Sequence, residues 1–265
     1  MHPRIIQFGH IAIPTYGALT ALALVAALAA AMHFARRLSL DPNKVWTLSL
    51  AAILTTLIGA RLLAVIAHFD AFRQHPFWVL GLGTPRDTWI VPGSVALGIG
   101  AGVLYALAEG LSVLSTADAL APAAALGFAI NRVGAFLAGI GFGTPSSVPW
   151  AVTYTSRLAA LWYRTPLGVS LHPVQIYEAA FSLAVFALLL WELPRRRREG
   201  EPAGTALFLF GVANSLLSIW RAETARLALT LVLSVLGVLA GATLWLDRKP
   251  NQPRYTASDE APPLR

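Results

Sequence analysis

Cysteine is absent from this chain of 265 residues. The chain therefore has no disulfide, no thiolate nucleophile of its own and no cysteine-based metal site. Charged side chains are also scarce, since Asp, Glu, Lys and Arg make up 12% of the residues, about half of their share in an ordinary soluble domain. This shortage excludes a typical soluble globular fold.

What the sequence has in abundance is apolar side chains, at 56% of the residues. A helix needs roughly 20 apolar residues to cross a hydrocarbon core about 30 Å thick. Seven stretches with little or no charge approach this length: residues 11–33, 45–68, 89–108, 119–139, 173–191, 206–220 and 227–246. The pattern predicts an all-α integral membrane protein, a bundle of about seven transmembrane helices with an external loop region between helices four and five.

Basic residues set the expected orientation, because loops rich in Lys and Arg resist translocation. They follow the first, fifth and seventh stretches: Arg36, Arg37, Lys44, Arg195, Arg196, Arg197, Arg198, Arg248, Lys249 and Arg254. This side is predicted to be cytoplasmic, with the N-terminus and residues 140–172 outside. We expect residues 1–249 to form one polytopic transmembrane domain and residues 250–265 a disordered cytoplasmic tail. The net charge of +7 then favours membrane lipid as a partner over nucleic acid.

Three ionisable residues lie inside the predicted spans, namely Arg61, Arg132 and Glu178. Each costs on the order of 3 kcal/mol at bilayer depth, so each is a candidate functional residue. Arg61 fits either a site or a structural role, in which it snorkels to the interface or pairs with Asp70. Glu178 fits a partner that neutralises one of the arginines better than it fits a catalytic group.

Arg132 is surrounded in the sequence by glycines, at positions 127, 134, 139, 141 and 143. Such small residues let a ligand or another backbone approach closely, and no acidic residue lies within several positions of Arg132. A planar guanidinium can bind phosphate through two parallel hydrogen bonds. We therefore predict that Arg132 faces a cavity between helices and contacts the phosphate of a lipid headgroup. His172, which precedes Pro173, fits either an interfacial base or a structural hydrogen-bonding residue.

The order of short motifs along the chain carries a family resemblance. They are PTYG (14–17), GARL (59–62), DALAP (118–122), NRVGAF (131–136), PWAV (149–152) and HPVQIYE (172–178). HPVQIYE is similar to the family's His-Pro-Ser-Gln-Leu-Tyr-Glu, and NRVGAFLAG resembles its Gly-Arg-Ile-Gly-Asn-Phe-Ile-Asn-Gly, with the arginine kept as Arg132. From about residue 10 to residue 245, the chain resembles the prolipoprotein diacylglyceryl transferase family of the bacterial inner membrane.

The resemblance implies transfer of the diacylglyceryl group from phosphatidylglycerol to the thiol of a lipobox cysteine in a prolipoprotein. It implies no metal or organic cofactor. The absence of cysteine fits this reaction, because the thiol belongs to the substrate. The residues that the resemblance assigns to lipid binding are Arg132, Tyr16, Arg61, Gln175, Glu178 and Arg221.

The sequence also departs from the family pattern. The His-Gly-Gly motif of the third helix corresponds to VPGSVALG (91–98), which contains no histidine. Polar positions after Arg132 are Ala135 and Ile140 in this chain. Near the sixth helix, an arginine and a glutamate of the family correspond to Asn214 and Ser218, whereas a further arginine is kept.

These departures bear on catalysis. Of the six histidines, only His172 lies in a motif that also contains Gln, Tyr and Glu. We therefore expect His172 or Tyr177 to act as the catalytic acid or base in place of the missing histidine. Two alternatives stay open: a non-catalytic paralogue that binds phospholipid or a membrane partner, and a transporter of an anionic lipid or solute.

Overall fold

The computed structural model describes residues 3–8, 11–74, 89–222 and 227–246. The elements in chain order are β1 (Arg4–Phe8), β2 (Ile11–Pro14), α1 (Thr15–Arg37), α2 (Pro42–Ala67), α3 (Phe69–Gln74), α4 (Ile90–Ala108), α5 (Val113–Ala138), β3 (Val152–Thr153), α6 (Arg157–Tyr163), β4 (Ser170–Leu171), α7 (Val174–Glu192), α8 (Glu201–Leu217) and α9 (Leu227–Leu246). Single 3-10 turns follow α7 at Leu193–Arg195 and α8 at Ser218–Trp220. Helices dominate the described chain, as the apolar stretches predict.

Six helices in the described part of the chain are long and apolar enough to cross a membrane: α1, α2, α4, α5, α7 and α8. The seventh predicted span is helical over Leu227–Leu246 and contains the apolar segment Leu231–Leu244. A helix satisfies its backbone hydrogen bonds internally, which hydrocarbon surroundings require. The prediction of an all-α bundle of membrane-spanning helices is confirmed.

Some helix boundaries differ from the prediction. Residues Ile11–Pro14 form strand β2, which pairs antiparallel with β1, so the prediction of a helix from residue 11 is wrong. Helix α1 begins only after Pro14, whose fixed φ and missing N–H suit the position before a helix. Helix α5 begins earlier than residue 119, at Val113, because the hydroxyl of Ser112 accepts a hydrogen bond from a backbone N–H in the first turn.

The two ends of the bundle are named here by what they carry. The loop end holds the start of α1, the end of α5, the start of α7 and residues 139–173. The arginine end holds the basic run at residues 195–198. Helices α1 and α5 pack antiparallel between these ends, and a Cβ added at Gly134 would lie 2.7 Å from Cβ of Leu19. Glycine at this position therefore allows the two helices to approach closely.

At the arginine end, Asp118 connects α5 to the basic run at residues 195–198 and to the start of α8. Its side chain is fully buried in α5. The carboxylate accepts hydrogen bonds from the guanidinium of Arg196 at 2.5 Å, from N–H of Gly200 at 2.8 Å and from N–H of Ala203 at 3.0 Å. The last two groups belong to the start of α8, whose first N–H groups have no partner within the helix. Asp118 thus caps α8 from a different helix.

Helices α2 and α4 pack tightly against each other. A Cβ added at Gly98 would lie 2.0 Å from Oγ1 of Thr56, and one at Gly102 would contact Leu48. Gly100 has no such neighbour within 4 Å. An apolar groove of about 520 Å³ separates this pair from α1 and α5. Helices α2 and α4 therefore pack closely against each other, and the groove leaves part of their surface out of contact with α1 and α5.

Two further expectations can be compared with the fold. Arg61 is half-buried in α2 and forms no ion pair with any described residue, so the predicted ion pair with Asp70 is absent from the described part of the chain.

Residues 247–265 lie outside the described residues. Both the domain boundary at residue 249 and the disordered tail remain predictions.

Candidate functional site

An ion-paired cluster of three residues lies near the loop end, between α5, α7 and the end of α8. The carboxylate of Glu178, in the second turn of α7, is 4% exposed and is shared by two guanidinium groups. Nη1 of Arg132 lies 3.2 Å from Oε2, and Nη2 of Arg221 donates to Oε1. We call Arg132, Glu178 and Arg221 the arginine–glutamate cluster. Three of the candidate residues selected from the sequence are thus in direct contact.

The cluster carries net positive charge, because one carboxylate faces two guanidinium groups. The guanidinium of Arg132 lies over the ring of Phe128, with 4.5 Å from Cζ to the ring centroid. Nε of Arg132 is buried and has no hydrogen-bond partner among the described residues. An N–H in this state is costly unless a ligand or water accepts from it. The cluster is therefore equipped to take up an anion.

A cavity of about 270 Å³ adjoins the cluster and lies between α5, α7, α8 and α9. Glu178 and Arg221 line it together with polar side chains, of which Asn214 donates to Oγ of Ser234 at 2.7 Å. Arg132 is not among the residues that line this cavity, so its predicted position facing a cavity between helices stays a prediction. Most of the remaining lining is apolar, from Phe128, Phe181, Leu207, Phe210, Leu217 and Leu233. A polar, charged end and an apolar wall suit an amphipathic ligand.

The segment between α5 and α7 fixes the positions of Arg221 and His172. N–H of Gly143 donates to the carbonyl of His172 at 3.0 Å, and N–H of Thr144 donates to the carbonyl of Trp220 at 2.8 Å. N–H of His172 in turn donates to the carbonyl of Thr144 at 3.0 Å. A Cβ added at Gly143 would lie 2.7 Å from the carbonyl oxygens of His172 and Trp220. Only glycine therefore fits at this position without a shift of the neighbouring backbone.

Beside the cluster, His172 and Tyr177 form a second polar group. Nδ1 of His172 lies 3.4 Å from the hydroxyl oxygen of Tyr177. This oxygen accepts a hydrogen bond from Nε1 of Trp150 at 2.6 Å. The ring of Trp220 lies 6.1 Å from that of His172, between centroids. An imidazole and a phenol in contact can hold or pass a proton.

Gln175 links the segment between α5 and α7 to the start of α7. It is fully buried, and Nε2 donates to the carbonyl of Ile140 at 2.8 Å and to the hydroxyl of Tyr154 at 3.1 Å. Burial raises the pKa of the Tyr154 hydroxyl, while the hydrogen bond from Gln175 acts in the opposite direction. Oε1 of Gln175 has no partner among the described residues.

The structure brings together most, but not all, of the residues selected from the sequence. Arg132, Glu178 and Arg221 are in contact. Tyr177, the residue before Glu178, lies against His172. The ring of His172 in turn lies near that of Trp220, the residue before Arg221. Arg61 lies on α2, which packs mainly against α1 and α4, and among the described residues no hydrogen bond or ion pair joins it to these five side chains. Tyr16 lies in the first turn of α1 near Tyr163, whose pKa is raised by burial and then by Tyr16.

Sequence reasoning missed Trp150, Trp220 and Tyr154. Trp150 belongs to the PWAV motif, but the motif alone does not reveal its hydrogen bond to Tyr177. Tyr154 carries no signal except its proximity to the same motif. The pairing of Glu178 with both arginines was only half expected, since a neutralising role for one arginine was predicted.

Comparison with known proteins gives the family. Residues 3–246 match the family described as prolipoprotein diacylglyceryl transferase. The chain belongs to the prolipoprotein diacylglyceryl transferase family. Relatives named phosphatidylglycerol–prolipoprotein diacylglyceryl transferase include one from Thermosynechococcus vestitus, 29% identical over 81% of this chain and 78% of its own length. One from Clostridium tetani is 25% identical over 84% and 86%, and one from a Nostoc species is 27% identical over 94% and 91%.

Membership in the prolipoprotein diacylglyceryl transferase family confirms the resemblance drawn from the motifs. The matched region contains the arginine–glutamate cluster, the His172–Tyr177 pair and all the helices described above. Together with the six apolar helices, it identifies a multi-pass membrane protein of a transferase family.

Proposed function

We propose that this protein transfers the diacylglyceryl group of phosphatidylglycerol to the thiol of the lipobox cysteine of a prolipoprotein. In this reaction the thiol sulfur forms a bond to a glycerol carbon. The bond between that carbon and a phosphate oxygen breaks, and the electron pair leaves with glycerol phosphate. The relatives bear the name of this activity, and the chain, without cysteine, needs the thiol of its substrate.

The observation that carries the proposal is the net positive charge of the arginine–glutamate cluster beside a cavity with apolar walls. A lipid phosphate there receives hydrogen bonds from guanidinium groups, which strengthen as the leaving oxygen gains charge. In this proposal, Arg132 and Arg221 bind the phosphate and Glu178 holds both in place. Tyr16, Arg61 and Gln175 are proposed to contact other parts of the lipid or to support the loop end.

His172 and Tyr177 are proposed as the proton-handling pair. The thiol must lose its proton before sulfur attacks, because the thiolate is the nucleophile. The imidazole of His172 lies against the phenol of Tyr177 and next to Trp220, whose neighbour in the chain is Arg221. Both side chains lie at the loop end, and in the orientation proposed below a secreted precursor has access to them there.

We propose that the protein lies in the bacterial inner membrane with its loop end and N-terminus outside and the arginine end in the cytoplasm. The basic run at residues 195–198 supports this orientation. A reporter active only in the periplasm is expected to be silent when fused after Arg198 and active when fused within residues 140–172. The reverse pattern would place the candidate site on the wrong face for secreted precursors.

The deciding experiment is a transfer assay with the purified protein in phosphatidylglycerol nanodiscs and a lipobox peptide. The unmodified protein is expected to form the thioether, and the double variant His172→Ala, Tyr177→Phe is expected to be slower by about 10²-fold or more. Full activity of the double variant would reject the proton-handling role. Complementation of a cell depleted of its own transferase tests the same function in vivo.

The second candidate function is a non-catalytic protein that binds phospholipid or a membrane partner. The observation in its favour is that α4, where the family has a histidine, contains no ionisable side chain except Tyr105. Phosphatidylglycerol that binds without any thioether formation would favour this second function over the first.

A further inference from the structure

Glu178 occupies an unexpected position for a site that binds an anionic lipid. Its carboxylate lies between Arg132 and Arg221 and lines the same cavity as Arg221. An anion that binds Arg221 from this cavity therefore lies beside a buried negative charge as well. Because the Glu178 side chain is buried, the interaction between these charges is screened less than it would be in water.

The charge balance of the cluster distinguishes anions by their charge. Two guanidinium groups and one carboxylate leave one unit of positive charge. A phosphodiester such as the phosphate of phosphatidylglycerol carries one negative charge and brings the sum to zero. A phosphate monoester carries about −1.5 to −2 at pH 7, so its binding leaves excess negative charge next to Glu178.

We infer that Glu178 makes the site selective for singly charged phosphodiesters and thereby promotes release of the doubly charged product. This inference rests on the proposed function, because the reaction converts one class of anion into the other. The sulfur–carbon bond forms and the carbon–oxygen bond breaks. The electron pair stays on the phosphate oxygen and the thiol proton passes to the His172–Tyr177 pair. The phosphate thus gains one negative charge while it is still in contact with Arg221 and Glu178.

A purely structural role for Glu178 does not require this arrangement. One carboxylate paired with one arginine would neutralise a single buried charge, and the second arginine would need its own partner. Here both arginines converge on one carboxylate, which is 4% exposed. The resulting single positive charge matches a diester and not a monoester.

Binding of two soluble probes tests the inference with the full-length protein in nanodiscs without phosphatidylglycerol. Glycerophosphoglycerol is the singly charged diester, and glycerol 1-phosphate is the doubly charged monoester. The unmodified protein is expected to bind the diester more tightly at pH 7.5. In the Glu178→Gln variant, affinity for the monoester is expected to rise about tenfold more than affinity for the diester.

The Glu178→Asp variant is the matched control, because it keeps the charge and should keep the preference for the diester. If the Gln variant does not fold, the order of affinities in the unmodified protein still decides the matter. A monoester that binds the unmodified protein more tightly than the diester would overturn the inference, as would equal gains for both probes or the absence of binding by either. Loss of thioether formation in the transfer assay with the diester preference intact would instead reject the proposed reaction alone.

Discussion

Two regions of the bundle are organised by different forces. Around α5, α7 and α8, buried charges join the helices at both ends, through the arginine–glutamate cluster at the loop end and through Asp118 at the arginine end. The α2–α4 pair is held by close contacts at small residues such as Gly98. Among the described residues, the ion pair that links α2 to the end of α4 joins Lys44 and Glu109, whose side chains are 38% and 40% exposed. Buried ion pairs therefore hold the helices of the first region in position. Close packing at small residues holds α2 and α4 in position.

The departures that the sequence predicts from the family pattern fall in both regions, in α4 at residues 91–98 and around α5 and α8 at Ala135, Asn214 and Ser218. The position where the resemblance predicts a histidine falls in α4, in the region held mainly by close contacts at small residues. The arginines and the acid that meet the proposed lipid phosphate all lie in the other region. A substitution in α4 leaves the charge balance of the cluster intact. Loss of Glu178 leaves two guanidinium groups without their acidic partner, and loss of either arginine removes the net positive charge of the cluster.

The largest expected effect comes from Arg132→Gln. The variant keeps hydrogen-bond donors but loses the charge that Glu178 and a lipid phosphate share, so thioether formation should fall by about 10²-fold or more. Arg132→Lys should recover part of the rate, because it restores charge without the planar, two-pronged donor. Initial rates in the transfer assay measure both variants.

Lys44→Gln is the control from the second region. Its partner Glu109 is exposed, and exposed ion pairs contribute little. The transfer rate of this variant should match that of the unmodified protein. A loss of rate comparable to that of Arg132→Gln would show that the two regions are not separate in function.

The next largest effect is on stability, in Asp118→Ala. This change leaves Arg196 without its buried partner and removes the cap from the start of α8. Removal of one partner from a buried ion pair costs about 3–5 kcal/mol. Unfolding in sodium dodecyl sulfate measures the change, and Glu109→Ala is the control with an expected cost below about 1 kcal/mol. Equal losses in both variants would contradict the comparison of the regions.

The sequence predicts the helices of both regions well, because runs of about 20 apolar residues have few alternatives in a bilayer. It also identifies Arg132 and Glu178 as unusual, since ionisable residues at bilayer depth are costly. It predicts that Glu178 neutralises one of the arginines, but it does not predict that Arg132 and Arg221 share this carboxylate, because Glu178 is 46 positions from Arg132 and no local rule connects such positions. The same holds for Arg196 and Asp118, 78 residues apart. The sequence does not predict the strand at Ile11–Pro14, because a short apolar run fits either a strand or a helix.

A smaller effect is expected from Gly98→Ala in α4. The added Cβ would lie 2.0 Å from Oγ1 of Thr56 and 2.7 Å from the carbonyl oxygen of Ala52, so α2 and α4 must move apart. Such overpacking costs about 1–3 kcal/mol. Gly100→Ala is the matched control on the same helix, because no atom lies within 4 Å of its added Cβ. The two variants should differ in resistance to unfolding by detergent, and equal stability would argue that shape does not hold this pair.

The smallest effect is expected from Thr116→Val, in the wall of the apolar groove between the regions. The hydroxyl of Thr116 is buried and has no hydrogen-bond partner among the described residues. Valine has nearly the same shape without the hydroxyl, so the variant should be unchanged or more stable by up to about 1–2 kcal/mol. Thr56→Val is the control, since its hydroxyl donates to the carbonyl of Ala52 at 2.8 Å and its loss should cost about 0.5–1.5 kcal/mol. A loss of stability in Thr116→Val as large as in Thr56→Val would mean that the groove supplies a partner for this hydroxyl, and the two regions would then be joined there by a polar contact.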